Sequence, residues 1–159
     1  MIVFLDSGVL HTLISNSKVK EVIDCQNWFY YLLSRSALVV TSAICNYEVK
    51  RELIRRKNTK ELHNLNQLKS LVDSLNVDEP TLDLAAELWA EARNKGLPTA
   101  DDLSLDADVI ICAQYQLLAE KYPGRYVVIA ICEAVSFRTT NVKHLSRFTE
   151  AKEWQDISF

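Results

Sequence analysis

Apolar residues in this chain fall into a few short unbroken runs, separated by longer stretches where they recur every three or four positions. Residues 2–5, 37–40 and 126–131 are the runs, rich enough in β-branched and aromatic side chains to predict buried strands. Helical spacing is predicted from Ser7 after the first run, over residues 19–34, from a cap at Thr41 or Ser42 to about residue 57, and over residues 60–74. Further helices are expected from Pro80 to residue 95 and over residues 104–121, with Gly96 and Pro98 separating them. Pro123 and Gly124 turn the chain into the clearest strand, 126–131. Weaker signals give strands at 75–77 and 154–157 and a short helix at 143–148. Strands alternating with helices imply an α/β fold, a three-layer sandwich whose central sheet is mainly parallel and flanked by helices.

Composition narrows this further. A chain of 159 residues with 48% apolar residues fits a single domain over 1–159 with a substantial core. A net charge of −3 gives no general attraction to polyanions, so nucleic-acid contact requires a local basic patch or bound cations. Cys25, Cys45, Cys112 and Cys132 are scattered among apolar neighbours without metal-ligand spacing, which predicts reduced core thiols and favours a cytoplasmic location. No secretory signal is expected, because Asp6 interrupts the first apolar stretch, and no segment reaches membrane-spanning length. Trp28, Trp89 and Trp154 read as core anchors, and His11, His63 and His144 show no ligand spacing.

The chemistry lies in carboxylates pressed against apolar sequence. Asp6 ends IVFLD, Glu48 ends SAICNYE, and Asp106 and Asp108 open LDADVIICAQ; Asn141 follows the run YVVIA after an irregular stretch. Each has a bland reading: Asp6 as an N-cap, Glu48 as a buried salt-bridge partner of Arg51 or Arg55, and Asp106 and Asp108 as complements to a helix dipole. Asn141 could be a simple turn residue. On a helical wheel, however, Glu48 lies between Ile44 and Cys45, and Asp108 over Ile111, Cys112 and Tyr115. Acids gathered beyond strand ends repel one another unless a hard cation such as Mg²⁺ or Mn²⁺ joins them. Such a cation activates water and neutralises a phosphodiester, which predicts a metal-dependent nuclease. The run KRELIRRK over residues 50–57 reads equally as a phosphate contact or a solvated helix end.

These segments, in this order, resemble PIN-domain ribonucleases, the fold of VapC-type toxins in bacterial toxin–antitoxin pairs. IVFLDSGVL is similar to that family's opening strand and first acid, and TSAICNYEVKREL to its capped helix carrying a Glu. PTADDLSLDADVIICAQ resembles the third acidic segment and TTNVKHLSRF the closing motif. The resemblance implies Asp6, Glu48 and Asp108 as metal ligands for Mg²⁺ or Mn²⁺, Asn141 as fourth catalytic member, and Asp102 or Asp106 as an auxiliary acid. It also implies an RNA substrate, a small antitoxin partner and a homodimer. The chain departs from the family pattern at residues 131–139, which are inserted before TNVKHL. The alternative reading is therefore a catalytically impaired PIN-like module that binds RNA or a protein partner.

Overall fold

The computed structural model describes residues 1–96, 107–132, 145–146 and 148–158. Its five strands are β1 (Ile2–Leu5), β2 (Leu38–Ser42), β3 (Asp73–Leu75), β4 (Val127–Ile131) and β5 (Ala151–Glu153). They form one sheet in the order β3-β2-β1-β4-β5, and every neighbouring pair is parallel. Among the described residues, pairs of helices separate the first four strands: α1 (Ser7–Ile14), α2 (Lys20–Ser34), α3 (Ala43–Arg55), α4 (Thr59–Leu68), α5 (Glu79–Asn94) and α6 (Ala107–Lys121). Helices cover both faces, so the inner strands are apolar without alternation: β1 is fully buried, and β4 has every residue buried.

Strand order follows the chain outwards from β1 through β2 to β3, then jumps back to place β4 on the other side of β1. The direction of winding thus reverses between β1 and β4, the position in open parallel sheets where functional groups gather beyond the strands' carboxyl ends. Leu5 pairs in register with Thr41 on one side and with Ala130 on the other, so the residues that follow all three strands emerge level at that edge.

Helix boundaries follow local chemistry. Asp6 caps α1, accepting from Val9 N at 2.9 Å, and Ser42 caps α3, accepting from Ile44 N at 3.1 Å. Asp78 caps α5 by accepting from Thr81 N at 3.1 Å, with Pro80 in the first turn where its missing N–H costs nothing. The buried faces of α2 (Val22, Cys25, Phe29, Leu32) and α5 (Thr81, Ala85, Leu88, Ala92) keep the three-and-four spacing of a single stripe. All four cysteines are buried thiols.

Several expectations need correction. The helix expected over 60–74 ends at Leu68, and the strand expected at 75–77 is Asp73–Leu75, an edge strand with little apolar content. The last strand is Ala151–Glu153 rather than 154–157. Trp154–Asp156 forms a 3₁₀ turn instead, with Trp154 packed against Trp28 at 5.7 Å between ring centroids and Trp28 Nε1 donating to Ile157 O at 3.0 Å. Trp89 is no core anchor: it falls off the buried stripe of α5 and is 38% exposed, with the Arg93 guanidinium 4.9 Å from its ring centroid. The expected helix at 143–148 and the start of the 104–121 helix lie largely outside the described residues.

Candidate active site

Asp6 is the first residue past β1, at the point where the winding reverses. It is fully buried; its backbone N–H donates to Ala130 O at 3.1 Å, tying it to β4, while its side chain caps α1. The N-cap reading of Asp6 is therefore correct, and it is compatible with a second role: Oδ1 serves the cap, and a carboxylate has a second oxygen.

Glu48 reaches the same edge from α3, the helix that leaves β2. It is half-buried, and burial raises its pKa above the ordinary carboxylate value, with the Ser7 hydroxyl and the Arg51 charge pulling the other way. The Ser7 hydroxyl is buried and makes no hydrogen bond of ordinary geometry, so its contact with Glu48 is a loose one. Of the two expected salt-bridge partners, Arg51 acts on Glu48 at the level of its field, whereas Arg55 pairs with Glu52.

The buried Cys45 thiol lies within the field of both Asp6 and Glu48. It is pushed well above the usual value by burial first, then by the charge of Asp6 and then by that of Glu48. The field of Asp6 also reaches Cys25 on α2, whose thiol is raised chiefly by burial.

Asp108 lies in the first turn of α6 and is 9% exposed. The end of α6 delivers the chain to the start of β4, where Tyr115 Oη donates to Val127 O at 3.2 Å. Its middle is anchored at the exit of β3, with Gln114 Nε2 donating to Asn76 O at 3.0 Å. The first turn therefore stands beyond the carboxyl edge of the sheet, the edge that carries Asp6 and Glu48, and α6 packs against α3. Asp102, Asp106 and Asn141 lie outside the described residues. Among the described residues, no three His, Cys, Asp or Glu side chains are gathered closely enough to hold a metal ion. The donor chemistry of Asp6, Glu48 and Asp108 is all carboxylate oxygen, the type that Mg²⁺ and Mn²⁺ take.

Two neighbours of Asp6 were not singled out in the sequence. Ser7 is buried against Glu48, and Gly8 lies where a Cβ would stand 2.8 Å from the Cys132 carbonyl oxygen and 3.4 Å from Asp6 Oδ1. The tripeptide Asp-Ser-Gly is thus a tight corner, whose signal was the smallness of the residues following the acid. A cleft of about 520 Å³ opens elsewhere, beside α1, α2 and α4, where Leu13, Phe29, Tyr30 and Leu71 line it.

This is a three-layer α/β fold with acids at its topological switch point, and the PIN-like architecture expected from the motifs is the one present. A chain of VapBC-1 from nontypeable Haemophilus influenzae is similar over 98% of this chain and 100% of its own, at 14% identity and a TM-score of 0.64. A chain of VapBC2 from Rickettsia felis, in a complex bound to a DNA fragment from their promoter, is similar over 97% of this chain and 99% of its own, at 17% identity and a TM-score of 0.66. No protein-family model and no curated protein matches the sequence. No helix among the described residues is long and apolar enough to cross a membrane.

Proposed function

We propose that the protein is a metal-dependent endoribonuclease that hydrolyses RNA phosphodiester bonds, the toxin of a toxin–antitoxin pair. What supports the reading is that Asp6, at the exit of β1, and Glu48, on the helix that leaves β2, lie towards the carboxyl edge of the sheet where its winding reverses, and that the charges of both reach the buried Cys45 thiol. Asp108 completes an acidic edge, and Asn141 and Asp102 or Asp106 are proposed as its further members. Mg²⁺ or Mn²⁺ bound there supplies an activated water and charge neutralisation for the scissile phosphate. Burial already penalises the charge on Glu48, and a cation offsets that penalty.

The toxin assignment rests on the two similar folds, both from VapBC structures, and it brings with it a small antitoxin partner, a homodimer and action in the cytoplasm. Cleavage of single-stranded RNA by the purified protein, with Mn²⁺ and with EDTA, tests the activity. Asp6→Asn is the informative variant: Asn caps helices about as well as Asp, so α1 keeps its start while the charge is removed. Wild-type cleavage that requires Mn²⁺ and is abolished in Asp6→Asn is the expected result. Undiminished metal-dependent cleavage by Asp6→Asn overturns the site, and absence of any cleavage by wild type leaves the non-catalytic binding module as the reading.

A further inference from the structure

We infer that Tyr47 and Arg51 on α3 form a landing point for single-stranded RNA beside Glu48, the tyrosine ring stacking on a base and the guanidinium meeting the adjoining phosphate. This rests on the RNA reading above but not on cleavage.

Tyr47 is 58% exposed, an aromatic ring left in water on a helix whose other face is core. Arg51, one turn on, places its guanidinium carbon 5.4 Å from the ring centroid. Tyr47 and Arg51 are an i,i+4 pair and Glu48 and Arg51 an i,i+3 pair, so all three share one side of α3.

The basic run that follows Glu48 is not uniformly available. Glu52 engages both Arg55 and Arg56, and those ion pairs hold its carboxyl down to about 2. Arg51 lies instead on the tyrosine, next to the acid, and its charge acts on Glu48. An exposed aromatic face supplies sequence-tolerant base stacking, and a planar guanidinium beside it supplies a phosphate contact; together they are the two elements by which single strands are held. A cation next to Glu48 also offsets the repulsion between that carboxylate and an arriving phosphate.

The test is fluorescence anisotropy of a short fluorescein-labelled single-stranded RNA in EDTA, where binding is read without cleavage, together with sedimentation of each variant. Tyr47→Ala is expected to weaken binding about 5- to 150-fold, the value of one base–aromatic stack, while Tyr47→Trp binds as wild type does. Arg51→Gln is expected to weaken binding and to flatten the dependence of log affinity on log salt by about 0.7, one phosphate contact on a single strand. Because both side chains are exposed, the variants keep the wild-type melting temperature. Equal RNA affinity of wild type and Tyr47→Ala overturns the proposal, as does a Tyr47→Ala effect confined to the oligomeric state, which makes this face a protein contact. If wild type binds RNA through Tyr47 yet cleaves none in Mn²⁺, the landing point stands and the nuclease reading falls.

Discussion

Gly8→Ala adds one methyl group at the tightest point of the molecule's functional edge. The new Cβ would lie 2.8 Å from the carbonyl oxygen of Cys132, and 3.4 and 3.6 Å from the two carboxylate oxygens of Asp6. Close carbon–oxygen contacts in proteins are about 3.3–3.6 Å, so the first contact is short by about 0.5 Å. The short contact joins two backbone segments: Gly8 lies in the first turn of α1, and Cys132, whose main-chain carbonyl it meets, directly follows the fully buried strand β4. Neither can rotate away, and relief requires α1 to shift against the sheet.

Replacing Gly by Ala inside a helix is otherwise favourable by about 1 kcal/mol, whereas overpacking a closed site costs about 1–3 kcal/mol. With two rigid partners the overpacking dominates, for a net loss of about 1–2 kcal/mol. In a chain of this size that lowers Tm by about 2–8 °C. Thermal unfolding followed by circular dichroism in metal-free buffer reads this directly. A Gly8→Ala protein that melts at or above the wild-type temperature refutes the reasoning, because helix propensity would then outweigh a contact described here as unrelievable.

The Glu48 carboxyl is raised by burial, so its contribution to stability is full below the ordinary value of 4.5 and is lost as pH rises through the raised one. Glu48→Gln therefore melts above wild type at neutral pH without metal, and the gap narrows as pH falls through the raised value towards 4.5, with no further change below it; thermal melts from neutral pH down past 4.5 check the sign. Leu53→Ala, on the core face of α3 at 1% exposure, costs about 2–5 kcal/mol in denaturant unfolding by leaving a cavity under the helix that carries Glu48.

The inner half of the fold was legible because parallel strands buried on both faces must be continuous apolar runs. IVFL and VVIAI could not have been anything exposed, and Asp6 was visible as the acid that ends the first of them. The edges were harder to read. Asp73–Leu75 and Ala151–Glu153 are three residues each, carry little apolar signal, and are strands only because a neighbour offers hydrogen bonds. Trp154 looked like strand because it is apolar and aromatic, but it opens a 3₁₀ turn in which its ring packs on Trp28. For the site, periodicity placed Asp108 on the buried side of its helix, as observed, whereas Glu48, expected on an apolar arc, is half-buried and outside the buried stripe Cys45, Val49 and Leu53. Periodicity could not place them relative to Asp6, since that depends on strand order, which no local pattern encodes. The constriction at Gly8 was invisible for the same reason: its partner, Cys132, is 124 residues away in sequence.

The central claim is that carboxylates from separate strand exits act together on one divalent ion, and Mn²⁺ titration of EDTA-treated protein by isothermal calorimetry addresses it most directly. Wild type is expected to bind Mn²⁺, and Asp6→Asn to bind it at least about tenfold more weakly while melting at the same temperature. Equal Mn²⁺ affinity in the two proteins, or no binding by wild type, contradicts the account.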